Sequence, residues 1–223
     1  MVFTRPPRPR LPQQRAPSGG YSSSALNASL GVRELPASRA RRWAVRTWSY
    51  NRWAFAMSKR VADLLVETLQ AAGVETCYGI VGDTMNRIAH AIDRSEIDWV
   101  HMRHEEAGAF AAAAEASLTG HLTACAGTCG PGSLHFINGL YEANRNRAPV
   151  ILIATQIVRQ DLGFESIQEI DFDDVFKGCS VYCEMILTPE QARRKTVAAC
   201  QAALTKRGVA VLVVPADIAN AAA

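Results

Sequence analysis

The sequence predicts an α/β domain, with a six-stranded, mostly parallel sheet that carries helices on both faces. Three observations lead to this fold class. From residue 58 onward, short apolar runs alternate with helical stretches, a pattern typical of βαβ crossovers. The runs are almost continuously apolar, as expected of parallel strands buried on both faces. The segment 58–223 also has the length of a single domain.

The order of the elements follows from the apolar periodicity. The first helix is predicted in "KRVADLLVETLQAAG", because its apolar residues share one helical face and Gly73 is a stop signal. The strands are predicted in "ETCYGIV", "DWVHM", "LTACAG", "PVILIAT", "SVYCEMI" and "VAVLVVP". The helices between them are predicted in "DTMNRIAHAIDR", "EEAGAFAAAAEASL", "PGSLHFINGLYEANRN", "FDDVFKG" and "TPEQARRKTVAACQAALTKRG".

The first 57 residues differ from the rest in composition. They contain ten arginines, no lysine and one acidic residue, Glu34. Their net charge of +9 exceeds the +3 of the whole chain, so residues 58–223 carry −6. A segment so rich in arginine and proline cannot bury enough apolar surface to offset chain entropy, and we expect a disordered leader. Organelle targeting, polyanion binding and translation upstream of a true start at Met57 are the open interpretations, and we favour the last.

The composition of residues 58–223 argues against several classes of protein. A mildly acidic segment gives no reason to invoke nucleic acid, and no apolar run in the chain is long enough to span a membrane. The six cysteines lie in or beside apolar segments, without C-x-x-C pairs or Cys/His clusters. We therefore expect reduced core thiols rather than zinc ligands, and a cytoplasmic location.

Ligands of parallel α/β sheets bind beyond the carboxyl ends of the strands. The junctions found there are "YGIVGDT", "MRHEE", "GTCGPGS" and the loop after "ILIATQ". Glu105 and Glu106 open an alanine-rich helix that is apolar on every face, which predicts a helix buried in the domain interior. Their carboxylates either stabilise the helix N-terminus or serve in proton transfer, and the residues alone leave both alternatives open.

Several segments, in their order and spacing, resemble the N-terminal, pyrimidine-binding domain of thiamine-diphosphate-dependent enzymes. They are "YGIVGDTMN", "MRHEEAGAFAAAAEA", "CAGTCGPGSLHFINGLYEANRNRAPVILIA" and "GVAVLVVPADIA". The "RHEE" variant, the "CGPG" turn and the "RNRAPV" segment are most similar to pyruvate oxidase and quinone-linked pyruvate dehydrogenase. The resemblance covers about residues 58–220 and none of the leader.

The resemblance implies roles for individual residues. Glu105 would hydrogen-bond N1′ of the cofactor's aminopyrimidine and so promote loss of the proton from the thiazolium C2. Glu106 would be a surface or neighbouring carboxylate, and Asp83 would cap the following helix without binding a metal. The aminopyrimidine pocket and the other cofactor contacts would come from Ile80, Val81, Gly82, Gly130, Pro131, Gly132 and Asn138. Gln168 would border the substrate pocket, where Ile167 replaces an aromatic residue and weakens the case for pyruvate.

The resemblance also implies a larger assembly. Enzymes of this kind have a central domain that commonly takes up FAD and a diphosphate-binding domain that holds Mg²⁺, and this sequence carries the motifs of neither. We expect half a thiamine-diphosphate site, completed by the diphosphate-binding domain of another chain in a homo- or hetero-oligomer. The chain alone should not turn over pyruvate or another 2-keto acid.

Several alternatives stay open for the whole protein. The chain is a truncation, a subunit of a split 2-keto acid decarboxylase or acetolactate-synthase-like enzyme, or a non-catalytic remnant that serves as an interaction domain. A flavodoxin-like nucleotide-binding module is a weaker alternative, because "GIVGDT" lacks the glycine spacing and the lysine of a phosphate-binding loop.

Overall fold

The computed structural model describes residues 59–223. The predicted disordered leader, residues 1–57, lies outside the described residues. Among those described, no helix is long and apolar enough to cross a membrane.

Eight helices and six strands make up the described part of the chain. The helices are α1 (Val61–Ala71), α2 (Asn86–Asp93), α3 (Glu105–Thr119), α4 (Pro131–Leu134), α5 (Ile137–Arg145), α6 (Phe172–Phe176), α7 (Ala192–Lys206) and α8 (Ala216–Asn220). The strands are β1 (Thr76–Ile80), β2 (Asp98–His101), β3 (Thr123–Gly127), β4 (Val150–Gln156), β5 (Tyr182–Met185) and β6 (Val209–Pro215). Single 3₁₀ turns precede α2 and α7.

The six strands form one sheet in the order β2-β1-β3-β4-β6-β5, and every neighbouring pair is parallel. The predicted fold class is therefore confirmed. The register places Ile80 at the end of β1 beside Gly127 at the end of β3, and Gly127 beside Ala154 of β4. As a result, the loops that follow these three strands leave the same edge of the sheet together.

A hydrophobic core lies on each face of the sheet. One core is covered by α1, α2, α7 and α8, and the other by α3, α5 and α6. Successive residues of a strand point into opposite cores, as Ile151 and Leu152 do on β4. All residues of β3, β4 and β6 are buried, which explains why their sequences are almost continuously apolar.

Helix α5 packs closely against α3. A Cβ atom at Gly139 would lie 2.4 Å from Cβ of Ala109, so only glycine allows this approach of the two helices. The close packing brings the turn before α5 next to the start of α3. The candidate site depends on this contact.

Two predictions about helices are wrong in detail, and one helix was not predicted. The single helix predicted over 131–146 is divided into α4 and α5, because the chain switches to an i→i−3 bond at Phe136, whose ring is fully buried. Helix α8 was not predicted. Helix α3 is not buried on every side within this chain, since Phe110 and Leu118 on its outer face are 38% and 88% exposed.

The cysteines follow the prediction for core thiols. All six are free in the structure, five of them are buried, and Cys183 is partly buried. Burial raises the pKa of Cys183 to about 12, so its thiolate is scarce at neutral pH.

Candidate functional site

Four loops meet at the carboxyl edge of the sheet, and they carry the residues that the sequence singled out. The loop after β1 holds Val81 and Gly82, and the loop after β2 leads directly into Glu105. The turn after β3 contains Gly130, and the long segment after β4 contains Gln168. This arrangement is the one expected for a ligand site of a parallel α/β sheet.

Glu105 is the first residue of α3, and its side chain is turned inward. The residue is only 8% exposed, although a carboxylate is rarely buried without partners. Oε2 lies 3.2 Å from Nδ1 of His135. Within residues 59–223, no hydrogen bond reaches the other carboxylate oxygen, Oε1. Glu105 therefore has one oxygen held and one available to a ligand.

Two histidines flank this carboxylate. His104 caps α3, since its Nδ1 accepts a hydrogen bond from the backbone N–H of Glu106 at 3.3 Å. The rings of His104 and His135 stack, with centroids 4.9 Å apart and planes 21° from parallel. About half of each side chain is exposed. Together with Glu105, the two rings form a small polar cluster between the starts of α3 and α5.

The glycine turn after β3 lies against Glu105. Gly130 has φ of +65° and Pro131 begins α4, which fits the preference of proline for the first helical turn. A Cβ atom at Gly132 would lie 3.6 Å from Oε1 of Glu105 and 2.6 Å from Cγ2 of Thr128. Glycine at position 132 therefore allows the turn backbone to approach Thr128 closely, beside the available oxygen of Glu105.

A cluster of threonine hydroxyls ties the loops to one another. Oγ1 of Thr84 lies 2.8 Å from Oγ1 of Thr128 and 2.7 Å from Oγ1 of Thr155, and it accepts a hydrogen bond from the backbone N–H of Cys129 at 3.0 Å. Thr155 in turn donates to the carbonyl of Gly127 at 2.9 Å. This threonine cluster joins the segments after β1 and β3 to the end of β4, and so fixes the loops around the site.

Gln168 reaches the site from a distant part of the sequence. It adopts φ of +66°, and a Cβ atom at Gly130 would lie 2.7 Å from its Cβ. The thiol of Cys129 contacts Oε1 of Gln168 at 3.5 Å. The carboxylate of Glu169 holds this loop in shape by accepting backbone N–H bonds from Gly163 and Ser166. Ile167 beside it is 89% exposed.

Other predicted residues make no hydrogen bond to Glu105 among the described residues. Asn138 is exposed and donates from Nδ2 to Oε1 of Glu106 at 2.6 Å, with no hydrogen bond to Glu105. Ile80 is partly buried at the end of β1, and Val81 is 43% exposed. Oδ1 of Asp83 accepts bonds from the backbone of Thr84 and from Oγ1 of Thr128. Asp83 thus belongs to the loop connections around the threonine cluster.

Sequence reasoning missed His135 and the threonine cluster. His135 follows the glycine turn by only a few residues, so its placement next to that turn could have drawn attention to it. Thr84, Thr128 and Thr155 come from separate segments, and no local pattern in the sequence links them. Their proximity follows only from the register of β1, β3 and β4.

Known proteins are similar to this chain over much of its length. Residues 59–175, more than half of the chain, match the family described as "Thiamine pyrophosphate enzyme, N-terminal TPP binding domain". An uncharacterized 42.6 kDa protein of Pseudomonas amyloderamosa is 49% identical over 72% of this chain and 41% of its own length. Pyruvate oxidase of Lactiplantibacillus plantarum is 33% identical over 69% of this chain and 26% of its own length. Acetolactate synthase 3 of Brassica napus is 30% identical over 94% of this chain and 32% of its own length. The chain thus spans less than half the length of these relatives.

Proposed function

This chain belongs to the thiamine pyrophosphate enzymes, as an N-terminal TPP-binding domain, and on that premise we propose that Glu105 binds the aminopyrimidine end of thiamine diphosphate. The observation that carries the proposal is the state of this carboxylate. It is almost buried, one oxygen contacts His135, and the other has no partner among the described residues. A group in that state is suited to share a proton with a ring nitrogen.

In this proposal, the aminopyrimidine ring lies against the glycine turn beside Glu105. The turn backbone at Gly132 lies beside Oε1, and in this proposal Ile80, Val81 and Gly130 supply the backbone and apolar surface of the pocket. A buried carboxylate with one unpaired oxygen matches the donor that a protonated ring nitrogen presents. The chemistry of the site therefore agrees with an aminopyrimidine ligand.

Each of these residues has a separate task. Glu105 would hold a proton between its free oxygen Oε1 and the ring nitrogen of the bound aminopyrimidine. His135 fixes one carboxylate oxygen, so that the other points toward the ligand. The threonine cluster keeps the loops after β1 and β3 in place, because its bonds join them to the end of β4. When bound, thiamine diphosphate supplies a thiazolium ring that accepts electrons during decarboxylation.

The reaction that we propose is decarboxylation of a 2-keto acid, with pyruvate as the first candidate. The supporting comparison is the 33% identity to a pyruvate oxidase, and Gln168 lies next to the glycine turn where a substrate would meet the cofactor. Ile167 stands where the resemblance implies an aromatic side chain near the substrate. Other 2-keto acids should therefore be tested beside pyruvate.

The site also needs groups that the described residues do not provide. We propose that Mg²⁺ and the diphosphate are held by a diphosphate-binding domain of another chain, and FAD by a further domain. Exposed apolar side chains on α3 and α5 support such a contact between subunits: Phe110, Leu118 and Tyr141.

The experiment that tests this proposal compares two ligands of the full-length chain by isothermal titration calorimetry. Because Glu105 recognises only the pyrimidine end, thiamine and thiamine diphosphate should bind with dissociation constants within about threefold of each other. Addition of Mg²⁺ should not change either value. Binding of the diphosphate form that is at least tenfold tighter, or that depends on Mg²⁺, would show that the chain grips the other end of the cofactor and would contradict the proposal.

A further inference from the structure

The cluster of His104, Glu105 and His135 has a second chemical capability. Their candidate ligand atoms all lie within 4.8 Å of one another. We propose that this cluster binds a zinc-type divalent cation, and that the bound ion excludes thiamine from Glu105. The proposed metal binding depends only on the geometry of the cluster, whereas the exclusion of thiamine rests on the proposed function of Glu105.

The spacing of the cluster is close to that of a zinc site. For Zn–N and Zn–O bonds of about 2.0–2.1 Å, tetrahedral ligands lie roughly 3.3 Å apart. Nδ1 of His135 and Oε2 of Glu105 are already 3.2 Å apart. Only His104 must move closer, and about half of its side chain is exposed, so a side-chain rotation is sterically open to it.

The donor set selects the kind of metal. Two imidazoles and one carboxylate form a frequent protein ligand set of zinc, with a fourth position left to water. Imidazole is a poor ligand for Mg²⁺, which prefers oxygen atoms. The proposed ion is therefore distinct from the Mg²⁺ that accompanies the diphosphate. It would also neutralise a carboxylate that is 8% exposed, where its attraction to a cation is weakly screened by water.

Two features limit the affinity of the site. The N-terminus of α3 carries a partial positive charge, which disfavours a cation there. In addition, Nδ1 of His104 accepts the backbone N–H of Glu106, and a metal bond to that nitrogen would replace the helix cap. We therefore expect micromolar rather than nanomolar binding, which is suitable for a reversible inhibitor.

The test uses Co²⁺ as a spectroscopic substitute for Zn²⁺ on the full-length chain without an affinity tag. We expect one Co²⁺ per chain, with the intense visible bands of four- or five-coordinate cobalt, and displacement by Zn²⁺. The leader cannot supply imidazole or thiolate ligands, because residues 1–57 contain no histidine or cysteine. Absence of these bands would overturn the proposal.

Substitutions of single histidines test where the ion binds. His104→Ala and His135→Ala should each weaken Co²⁺ binding at least tenfold, with unchanged far-ultraviolet circular dichroism. The matched control is His121→Ala, which removes an exposed histidine outside the cluster and should leave the affinity unchanged. Wild-type affinity in either cluster variant, or an equal loss in the control, would overturn the assignment.

The exclusion is tested with thiamine, which has no phosphate to chelate the metal. Saturating thiamine should raise the apparent Co²⁺ dissociation constant in proportion to its concentration. Simultaneous binding of both would overturn the exclusion. If the cobalt bands and the effects of the histidine variants were nevertheless as expected, the failure would lie in the role proposed for Glu105 and not in the metal site.

Discussion

Helix α3 carries two inward-facing carboxylates with different partners. Glu115 accepts hydrogen bonds from Oγ1 of Thr76 at 3.0 Å and from the hydroxyl of Tyr78 at 2.8 Å. Both of its oxygens are thus occupied, and both donors belong to β1. Glu105 has one contact, to His135, and a second oxygen without a partner in residues 59–223.

This comparison distinguishes a carboxylate with a structural role from a carboxylate with a proposed ligand-binding role on the same helix. A carboxylate whose oxygens are both bonded to the sheet stabilises the packing of α3 on β1. The second oxygen of Glu105 is not among the buried side-chain atoms without a partner in residues 59–223, so it remains accessible and can accept a hydrogen bond from a ligand. The identity of the residue is the same in both places, and the neighbours decide its role.

The largest expected effect on stability is that of Glu115→Ala. The substitution leaves two hydroxyl donors of β1 without their acceptor, and hydrogen bonds to charged groups contribute about 1.5–3 kcal/mol. We expect a loss of roughly 2–3 kcal/mol in the free energy of unfolding, measured by urea denaturation, with thiamine affinity unchanged. Glu115→Gln keeps one acceptor oxygen and should lose about half as much. A loss of thiamine binding in Glu115→Ala would remove the distinction between the two carboxylates.

Gly132→Ala tests the space beside Glu105. The added methyl group would come within 2.6 Å of Cγ2 of Thr128, and overpacking of this kind costs about 1–3 kcal/mol. We expect a lower midpoint in urea and thiamine binding weakened at least tenfold. The double variant with Thr128→Ser removes the clashing methyl group while it keeps the hydroxyl, so it should recover stability but not thiamine affinity. Recovery of both would mean that the space beside Oε1 is not used by the ligand.

Thr84→Val breaks the threonine cluster and keeps the size of the side chain. The loss of its hydrogen bonds should cost about 1–2 kcal/mol, because the backbone N–H of Cys129 loses its acceptor. Thiamine should bind more weakly in this variant, since the loops after β1 and β3 are held less firmly. Thr205→Val, at an exposed position on α7, is the matched control. Unchanged stability and affinity in Thr84→Val would show that the cluster does not position the site.

The smallest expected effect on stability is the pH dependence contributed by Tyr78. Burial, together with the hydrogen bond to Glu115, raises the pKa of Tyr78 to about 12, whereas a tyrosine in the unfolded chain ionises near 10. The stability contributed by the protonated phenol is therefore complete below pH 10 and is lost as the pH rises toward 12. Relative to Tyr78→Phe, wild type should lose stability between about pH 10 and pH 12 in thermal unfolding. A constant difference between the two proteins over this range would contradict the elevated pKa.

Sequence periodicity predicted the parts of the fold that depend on burial. Strands β3, β4 and β6 are apolar along their whole length because both of their faces are covered, and that condition is visible in the residues themselves. Periodicity also located Glu105 at the start of α3. It overestimated the burial of α3, since an alanine-rich helix has the same composition whether its outer face meets another helix or solvent.

Pairings between distant residues were not predictable in this way. The contact between Glu105 and His135 depends on the break between α4 and α5 at Phe136 and on the close packing at Gly139. The threonine cluster depends on the register of three strands. The Glu105–His135 contact and the threonine cluster both form only when the sheet is assembled. Local sequence patterns therefore identify the residues of one loop but not the residues of a neighbouring loop that they contact.

The central claim is that Glu105, and no other carboxylate of α3, holds the aminopyrimidine. The most direct measurement is saturation-transfer difference NMR of thiamine with the full-length chain, compared with Glu105→Gln and with the neighbouring Glu106→Gln. We predict strong saturation of the aminopyrimidine protons in wild type and in Glu106→Gln. In Glu105→Gln the affinity should fall about 10- to 100-fold, as expected for the loss of a hydrogen bond to a charged group. Equal saturation in Glu105→Gln and wild type, or a loss confined to Glu106→Gln, would contradict the account.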